Sequence, residues 1–209
     1  MKSISEGPRL LVLTAGAFGK DVASRLEDQY HAVVQDVEPA THPSFWPYAD
    51  MIVLAASHER SALADSIDQV SFVRRIPWLP VWSSPTEIQC GPLVDPGRTA
   101  CYQCFVRRRN QHAAARREIK PDGATHPTGY PDHHVGIAVA FARQAINEAF
   151  SGNSKGLGGT VRRFDQINGI TSRASVARAH RCSRCSPPSL AGGEIWNELE
   201  LAKRGEGNE

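Results

Sequence analysis

Apolar residues gather in short runs along the first ninety positions, and most runs are followed by stretches in which they recur at helical spacing. Arg9 to Leu13 (RLLVL) has the pattern of a buried strand. TAGAFGKDVASRLED follows, a glycine-bearing turn that opens into an amphipathic helix with Val22, Leu26 and nearby alanines on one face. HAVVQDVE predicts a second strand ending near Asp36, DMIVLAAS (50–57) a third, HERSALADSIDQVSFVRR a second helix and PWLPVWSS a fourth short strand. This alternation predicts a mostly parallel sheet with helices on both faces. Between the second and third strands, ATHPSFWPYA is a loop whose Phe45, Trp46 and Tyr48 belong in a core or at an interface, and would also suit a peptide groove.

From Pro92 to Gly129 the pattern gives way to turns, arginines and prolines. HHVGIAVAFARQAINEAFSG then restores a long helical period. Asp132 is its expected N-cap, Val135, Val139, Ala142, Ile146 and Phe150 its apolar stripe, and Gly152 its C-cap. TVRRFDQINGITSRASVAR alternates apolar and polar residues around Asn168-Gly169, the signature of a hairpin, and leads into AHRCSRC. Beyond it, SPPSLAGG reads as a linker, EIWNELELAKR as one helix and GEGNE as a disordered end. The expected organisation is one α/β domain over 1–187 with a C-terminal extension over 188–209, and no internal repeat.

Composition narrows the classes of function. A chain of 209 residues can bury a good-sized core. Its net charge of +2 and pI near 8.3 fall short of a generic nucleic-acid binder. The arginine run VRRRNQHAAARRE lacks interleaved aromatics, so it reads as a solvated face or as a surface meeting an acidic peptide or subunit, not as a nucleic-acid patch. No apolar run approaches the ~18 residues that span a membrane. The N-terminal apolar core is too short for a secretion signal, so a cytoplasmic location is expected.

Four of the five cysteines form two C-x-x-C units, Cys101/Cys104 and Cys182/Cys185. Two such knuckles supply the tetrahedral four-thiolate set that zinc prefers, and a site with all four positions filled by protein is structural. The pairs lie far apart in the chain, so a shared ion would staple a mid-chain loop to the end of the hairpin. The other reading is a reducible thiol pair beside an incidental one, which would sit at the start of a helix. Arg98, Arg107, Arg181 and Arg184 lie near the pairs and would support thiolates under either reading, Cys90 is expected as a buried thiol, and His180 is a possible outer neighbour.

TAGAFG fits the dinucleotide fingerprint only with Thr14 in place of the first glycine, leaving Gly16 and Gly19 for close backbone approach and helix packing. Asp36 stands where an acid would meet a ribose hydroxyl, and Asp50 is a second acid whose strand could bring it to the crevice. A tight turn with nothing bound explains the glycines equally well. Phosphate chemistry also needs a cation, and no lysine or arginine lies between Asp36 and Asp50. A nicotinamide oxidoreductase is a third use of the same turn. His126, His133 and His134 lack the spacing of a metal pair, and no nucleophile-elbow motif is present.

Taken in order, the degenerate glycine turn, ADMIVLAAS, GPLVDPGRTACYQC, the long apolar helix and the hairpin running into HRCSRC resemble the ThiF-like fold of ubiquitin-activating-type enzymes. More narrowly they are similar to the ThiF-like partners of YcaO-type cyclodehydratases, which help install azoline rings in ribosomal peptides such as bacteriocins and thiopeptides. The resemblance implies a Rossmann-like, mostly parallel sheet with a C-terminal antiparallel hairpin. It also implies structural zinc on Cys101, Cys104, Cys182 and Cys185, a homodimer, and delivery of a precursor peptide to a modifying enzyme. Adenylating members follow the second strand with an acid and an asparagine–arginine constellation for ATP and magnesium. QDVEPATHPSFWPYAD keeps Asp36 alone, so the expected role is an accessory or scaffold subunit without independent activity, with ATP-dependent adenylation of a peptide or carrier C-terminus as the alternative. A first strand at residue 9 leaves no room for the winged-helix module that grips leader peptides in many such partners, so another subunit is expected to supply it.

Overall fold

A computed structural model describes residues 7–38, 42–116, 129–151 and 159–185. Gly152, His126 and the extension beyond 185 lie outside the described residues, and so does the proposed boundary at 187. Seven strands form one sheet in the order β2-β1-β3-β4-β5-β6-β7. They are β1 (Arg9–Ala15), β2 (His31–Asp36), β3 (Met51–Ala56), β4 (Trp78–Ser83), β5 (Glu87–Cys90), β6 (Gly159–Asp165) and β7 (Thr171–Val176). The first four are mutually parallel, while β4–β5, β5–β6 and β6–β7 pair antiparallel. Four helices complete the fold: α1 (Gly16–Glu27), α2 (Ser61–Arg74), α3 (Tyr102–Arg116) and α4 (Asp132–Phe150).

Alternation within the buried strands builds two cores. Leu11, Leu13, Ile52 and Leu54 face one side with Trp78 and Trp82, against Ala64 and Ile67 of α2 and Phe105 of α3. Leu10, Val12, Met51, Val53, Leu79 and Val81 face the other, against Phe18, Val22 and Leu26 of α1 and Val135, Val139 and Ala142 of α4. Helices therefore cover both faces, as the alternating pattern predicts. The chain leaves β1 for β2 on one flank and for β3 and β4 on the other, so the strand order reverses at β1. The ends of β1 and β3 at this reversal form the crevice where open α/β sheets hold ligands.

Four expectations need correction. The stretch after Pro92 contains α3, whose arginines and alanines are good helix formers. Among its described side chains the buried ones, Tyr102, Cys104 and Phe105, span only one turn, too short a stripe to show a period. Strand β5, of four residues, is also absent from the sequence reading. Asp132 is the first residue of α4, not its cap; Pro131 holds that position, and Asp132 pairs with Arg25 of α1. Phe150 closes the expected stripe but is exposed, as the last residue of α4 beyond its last buried position at Ile146.

Candidate functional site

The segment that delivers the first cysteine pair is fixed to the sheet before it reaches Cys101. Val94 exchanges backbone hydrogen bonds with Trp78, and the Leu93 N–H donates to the Thr160 carbonyl at 2.9 Å. Within its turn, the Thr99 hydroxyl accepts from the Asp95 N–H at 2.8 Å. Arg178, beyond β7, donates to the carbonyls of Gly97 at 2.8 Å and Thr99 at 3.3 Å. Cys101 then precedes α3 and Cys104 lies in its first turn. Cys182 and Cys185 come from the turn after β7, where Arg181 adopts a left-handed φ of 53°.

All four Sγ atoms lie within 4.8 Å of one another, and all four residues are buried. Three of the separations are 3.7 Å (Cys101–Cys104), 3.6 Å (Cys101–Cys182) and 3.4 Å (Cys104–Cys185). A tetrahedral ion with Zn–S bonds of about 2.3 Å has an S···S edge of about 3.8 Å. The thiols thus already have the spacing of one four-coordinate ion, and they are too close together to enclose a multi-iron core. None forms a disulfide. The Ala179 N–H donates to Cys104 Sγ at 3.2 Å, a bond that favours the thiolate.

Without a cation the cluster is electrostatically divided. Hydrogen bonds from the Cys101 and Cys104 thiols hold Cys185 far below the ordinary thiol value. Hydrogen bonding to Cys104 and Cys185, with burial, pushes Cys101 up. A soft divalent ion removes the division, since it lets every thiol ionise onto it. Cys101 and Cys104 do stand at a helix start, as a redox pair would. The second pair seated against them is what a redox pair lacks. Of the nearby arginines, Arg98 pairs with Asp95 at 3.2 Å, Arg184 with Asp68 at 2.5 Å and Asp65 at 3.0 Å, and Arg107 and Arg181 are exposed. Cys90, the last residue of β5, is buried, its thiol pushed up to about 12 by desolvation. His133 and His134 stack edge to face at 4.5 Å at the start of α4.

Asp68 is a residue the sequence reading missed. It is fully buried on α2, where Trp78 Nε1 (3.0 Å), the Tyr102 N–H (3.2 Å) and Arg184 all donate to its carboxylate. Those donors come from β4, α3 and the second cysteine turn, so one carboxylate joins the scaffold to both halves of the cluster. Burial raises its carboxyl above the ordinary value, against the pull of these donors. An aspartate on the apolar side of a predicted helix was the available signal.

The crevice is built differently from a nucleotide cradle. Gly16 has φ +77°, and a Cβ there would lie 2.4 Å from Ser57 Oγ. The same hydroxyl accepts from the Phe18 N–H at 3.2 Å, so a side chain from the end of β3 caps the helix start where a phosphate would sit. Gly19 permits helix–strand contact: a Cβ would meet the Ala55 carbonyl oxygen at 2.2 Å. Asp36 accepts from Lys20 Nζ at 2.7 Å and from the Glu38 N–H at 3.0 Å. Lys20 holds its carboxyl below the ordinary value. Arg60 reaches Glu38 at 3.1 Å. Cations do reach this strand end, but from α1 and the start of α2, and each already holds an acid. Asp50 is not in the crevice. It sits before β3, at the opposite end of the parallel strands, where it accepts from the Arg9 N–H at 2.8 Å. Among the described residues, the glycine turn is thus engaged by Ser57 and Asp36 by Lys20.

A groove of about 500 Å³ opens between α3 and the β6–β7 hairpin. Phe105, Val176, Arg108, Arg109, His112 and Arg163 contribute to its lining, and no lining residue is acidic.

The architecture is a seven-stranded α/β sheet with helices on both faces and a buried cluster of four cysteines. No protein-family model matches the sequence, and no curated protein matches it. Solved structures do share the fold. A heterocyclase in complex with substrate and cofactor superposes with a TM-score of 0.61 at 14% identity, covering 88% of this chain and 26% of that one. The heterocyclase TruD gives 0.57 at 18%, with coverages of 87% and 28%. E. coli MccB gives 0.61 at 13%, with 88% and 66%, and it matches also in complexes with MccA and with ATP. The chain spans about a quarter of the heterocyclases' length and about two thirds of MccB's. At these identities the likeness is one of fold. Among the described residues, no helix is long and apolar enough to cross a membrane.

Proposed function

We propose that this protein is an accessory or scaffold subunit that binds a precursor peptide, or activates a YcaO-type cyclodehydratase, in ribosomal-peptide natural-product biosynthesis. In this reading zinc on Cys101, Cys104, Cys182 and Cys185 is structural. With four thiolates bound it has no open position for substrate, and its contribution is to hold α3 against the end of the hairpin. The peptide lies in the groove between those two elements, with acidic side chains toward Arg108, Arg163 and His112. The protein acts as a homodimer in the cytoplasm.

The observation that carries this reading is the contrast between the two concave sites. At the crevice the protein's own side chains take the two candidate ligand positions, Ser57 on the helix start and Lys20 on Asp36, whereas the cationic groove is open. The heterocyclase neighbours supply the setting. The test is reconstitution with the YcaO-type enzyme and the short Cys-, Ser- or Thr-rich peptide encoded beside it, following ring formation by mass spectrometry as loss of one water per ring. Ring formation that needs this protein, and falls about tenfold or more with Arg108→Glu and Arg163→Glu together, is the expected result. Rings forming equally well without the protein would overturn the reading.

The second reading, ATP-dependent adenylation of a peptide or carrier C-terminus, is favoured by the fold shared with MccB, which has been solved with ATP. Pyrophosphate exchange in the presence of the same peptide, abolished by Asp36→Ala, would establish it in place of the scaffold.

A further inference from the structure

At the end of the strands opposite the crevice lies an open recess of about 620 Å³. Trp46, Tyr48, Asp50, Arg74, Arg75 and Phe150 are among its lining residues. Exposed apolar side chains gather around it on the described surface. Seven large hydrophobic residues are conspicuously exposed, and four of them belong here: Phe45 at 78%, Tyr48 at 69%, Val73 at 85% and Phe150 at 43%. Tyr48 and Phe150 line the recess. Phe45 and Val73 adjoin lining residues in sequence, and a hydrogen bond from Arg74 to the Pro43 carbonyl at 2.7 Å ties their two segments together. Exposed apolar area of this kind, rimmed by charge, marks interaction sites.

The recess is also cationic. Arg74 and Arg75 line it, and the Arg9 guanidinium lies over the Tyr48 ring at 4.5 Å. The single lining acid, Asp50, is already engaged by the Arg9 N–H and guanidinium. Trp46 is buried to all but 6% of its surface, and its indole N–H has no hydrogen-bond partner among the described residues. Buried donors of that kind are rare in native proteins and call for an acceptor. Arg75, which ends α2 with a left-handed φ of 55°, is set at the recess by that turn.

From these features we infer that the recess is a docking port for an acidic, aromatic-bearing segment of a partner polypeptide. Its apolar side chain would pack among Tyr48, Phe150 and Trp46, and its carboxylates would meet Arg74 and Arg75. A second copy of the chain is the poorer occupant. A two-fold contact sets a patch against itself, which here brings Arg74 and Arg75 against their own counterparts. A lipid surface is poorer as well, because it receives protruding side chains whereas this site is concave. Since the port lies at the far end of the strands from the crevice, and its lining is distinct from that of the α3–hairpin groove, it does not depend on what either of those sites binds.

The test measures fluorescence anisotropy of the full-length protein with two labelled synthetic peptides of equal length and identical apolar residues, Phe and Leu. One carries Glu and the other Lys at every remaining position. Preferential binding of the Glu peptide, weakened about tenfold or more by Arg74→Glu with Arg75→Glu and again by Tyr48→Ser with Phe150→Ser, supports the port. Unchanged circular dichroism confirms that each variant is folded. Equal binding of the Lys peptide overturns it. So does loss of binding confined to the Arg108→Glu, Arg163→Glu variant, which would assign the peptide to the α3–hairpin groove and leave the port without a ligand. Tighter association with phosphatidylserine vesicles than with the Glu peptide would name a membrane instead. Loss of a dimer on sedimentation of the Arg74→Glu, Arg75→Glu variant, with peptide binding unchanged, would name a second copy.

Discussion

Asp68 makes more cross-element connections than any other side chain described above. Removing its carboxylate leaves Trp78 Nε1 and the Tyr102 N–H without this acceptor in a buried setting, and leaves Arg184 paired with Asp65 but not Asp68. Breaking a buried charge pair in this way costs about 3 kcal/mol. Asp68→Ala should therefore lower the urea midpoint by that equivalent, and Asp68→Asn, which keeps a neutral acceptor, by less. A change under about 1 kcal/mol for the alanine variant would show that the hub is dispensable. Glu59 supplies a pH signature. Burial works to raise its carboxyl, but Arg109 at 2.7 Å, the Tyr102 hydroxyl at 3.1 Å and Ser61 outweigh it and leave the group below 4.5. A depressed carboxyl stabilises the fold fully above its unfolded value, and that share is lost as pH falls through the folded value. The stability gap between the native protein and Glu59→Gln should accordingly be open at pH 7 and narrow below about pH 4.5. A gap that is constant from neutral pH to about pH 3.5 would contradict the assignment.

The elements most legible in the sequence are those whose burial pattern is long and complete. β1, β3 and β4 are apolar runs because both faces of the sheet are covered, and α4 has enough turns to display its stripe. The hairpin was legible because Asn168-Gly169 allows the turn, with Gly169 at φ +67°. α3 was not, because its apolar contacts occupy a single turn and its arginines resemble a surface patch. The glycine turn was legible as a turn, yet its purpose was not. Gly19 is required by the approach of α1 to β3 whether or not anything binds. Gly19→Ala should lower stability by about 2 kcal/mol through this overpacking, with a matching fall in Tm by calorimetry. If the variant is as stable as the native chain, the close approach is not a constraint.

On the scale of the whole molecule, the four thiols close the second half of the chain onto the first, joining α3 to the turn after β7. Purified protein should contain about one zinc per chain by elemental analysis. Chelation, or Cys182→Ser with Cys185→Ser, should abolish it and loosen the α3–hairpin contact, read as new amide exchange in both elements. Iron in place of zinc, or full metal content in the double variant, would refute that assignment. By itself the sequence determined the succession of β1 to β4 with α1 and α2, the long helix α4, the hairpin turn and the two cysteine knuckles, because period, turn chemistry and ligand spacing are local properties. Only the tertiary structure decided that the knuckles meet, that Ser57 fills the glycine turn, that Lys20 claims Asp36, and that Asp50 lies at the far end of the sheet. Those facts depend on strand order and direction, which bring together side chains tens of residues apart that no local pattern relates.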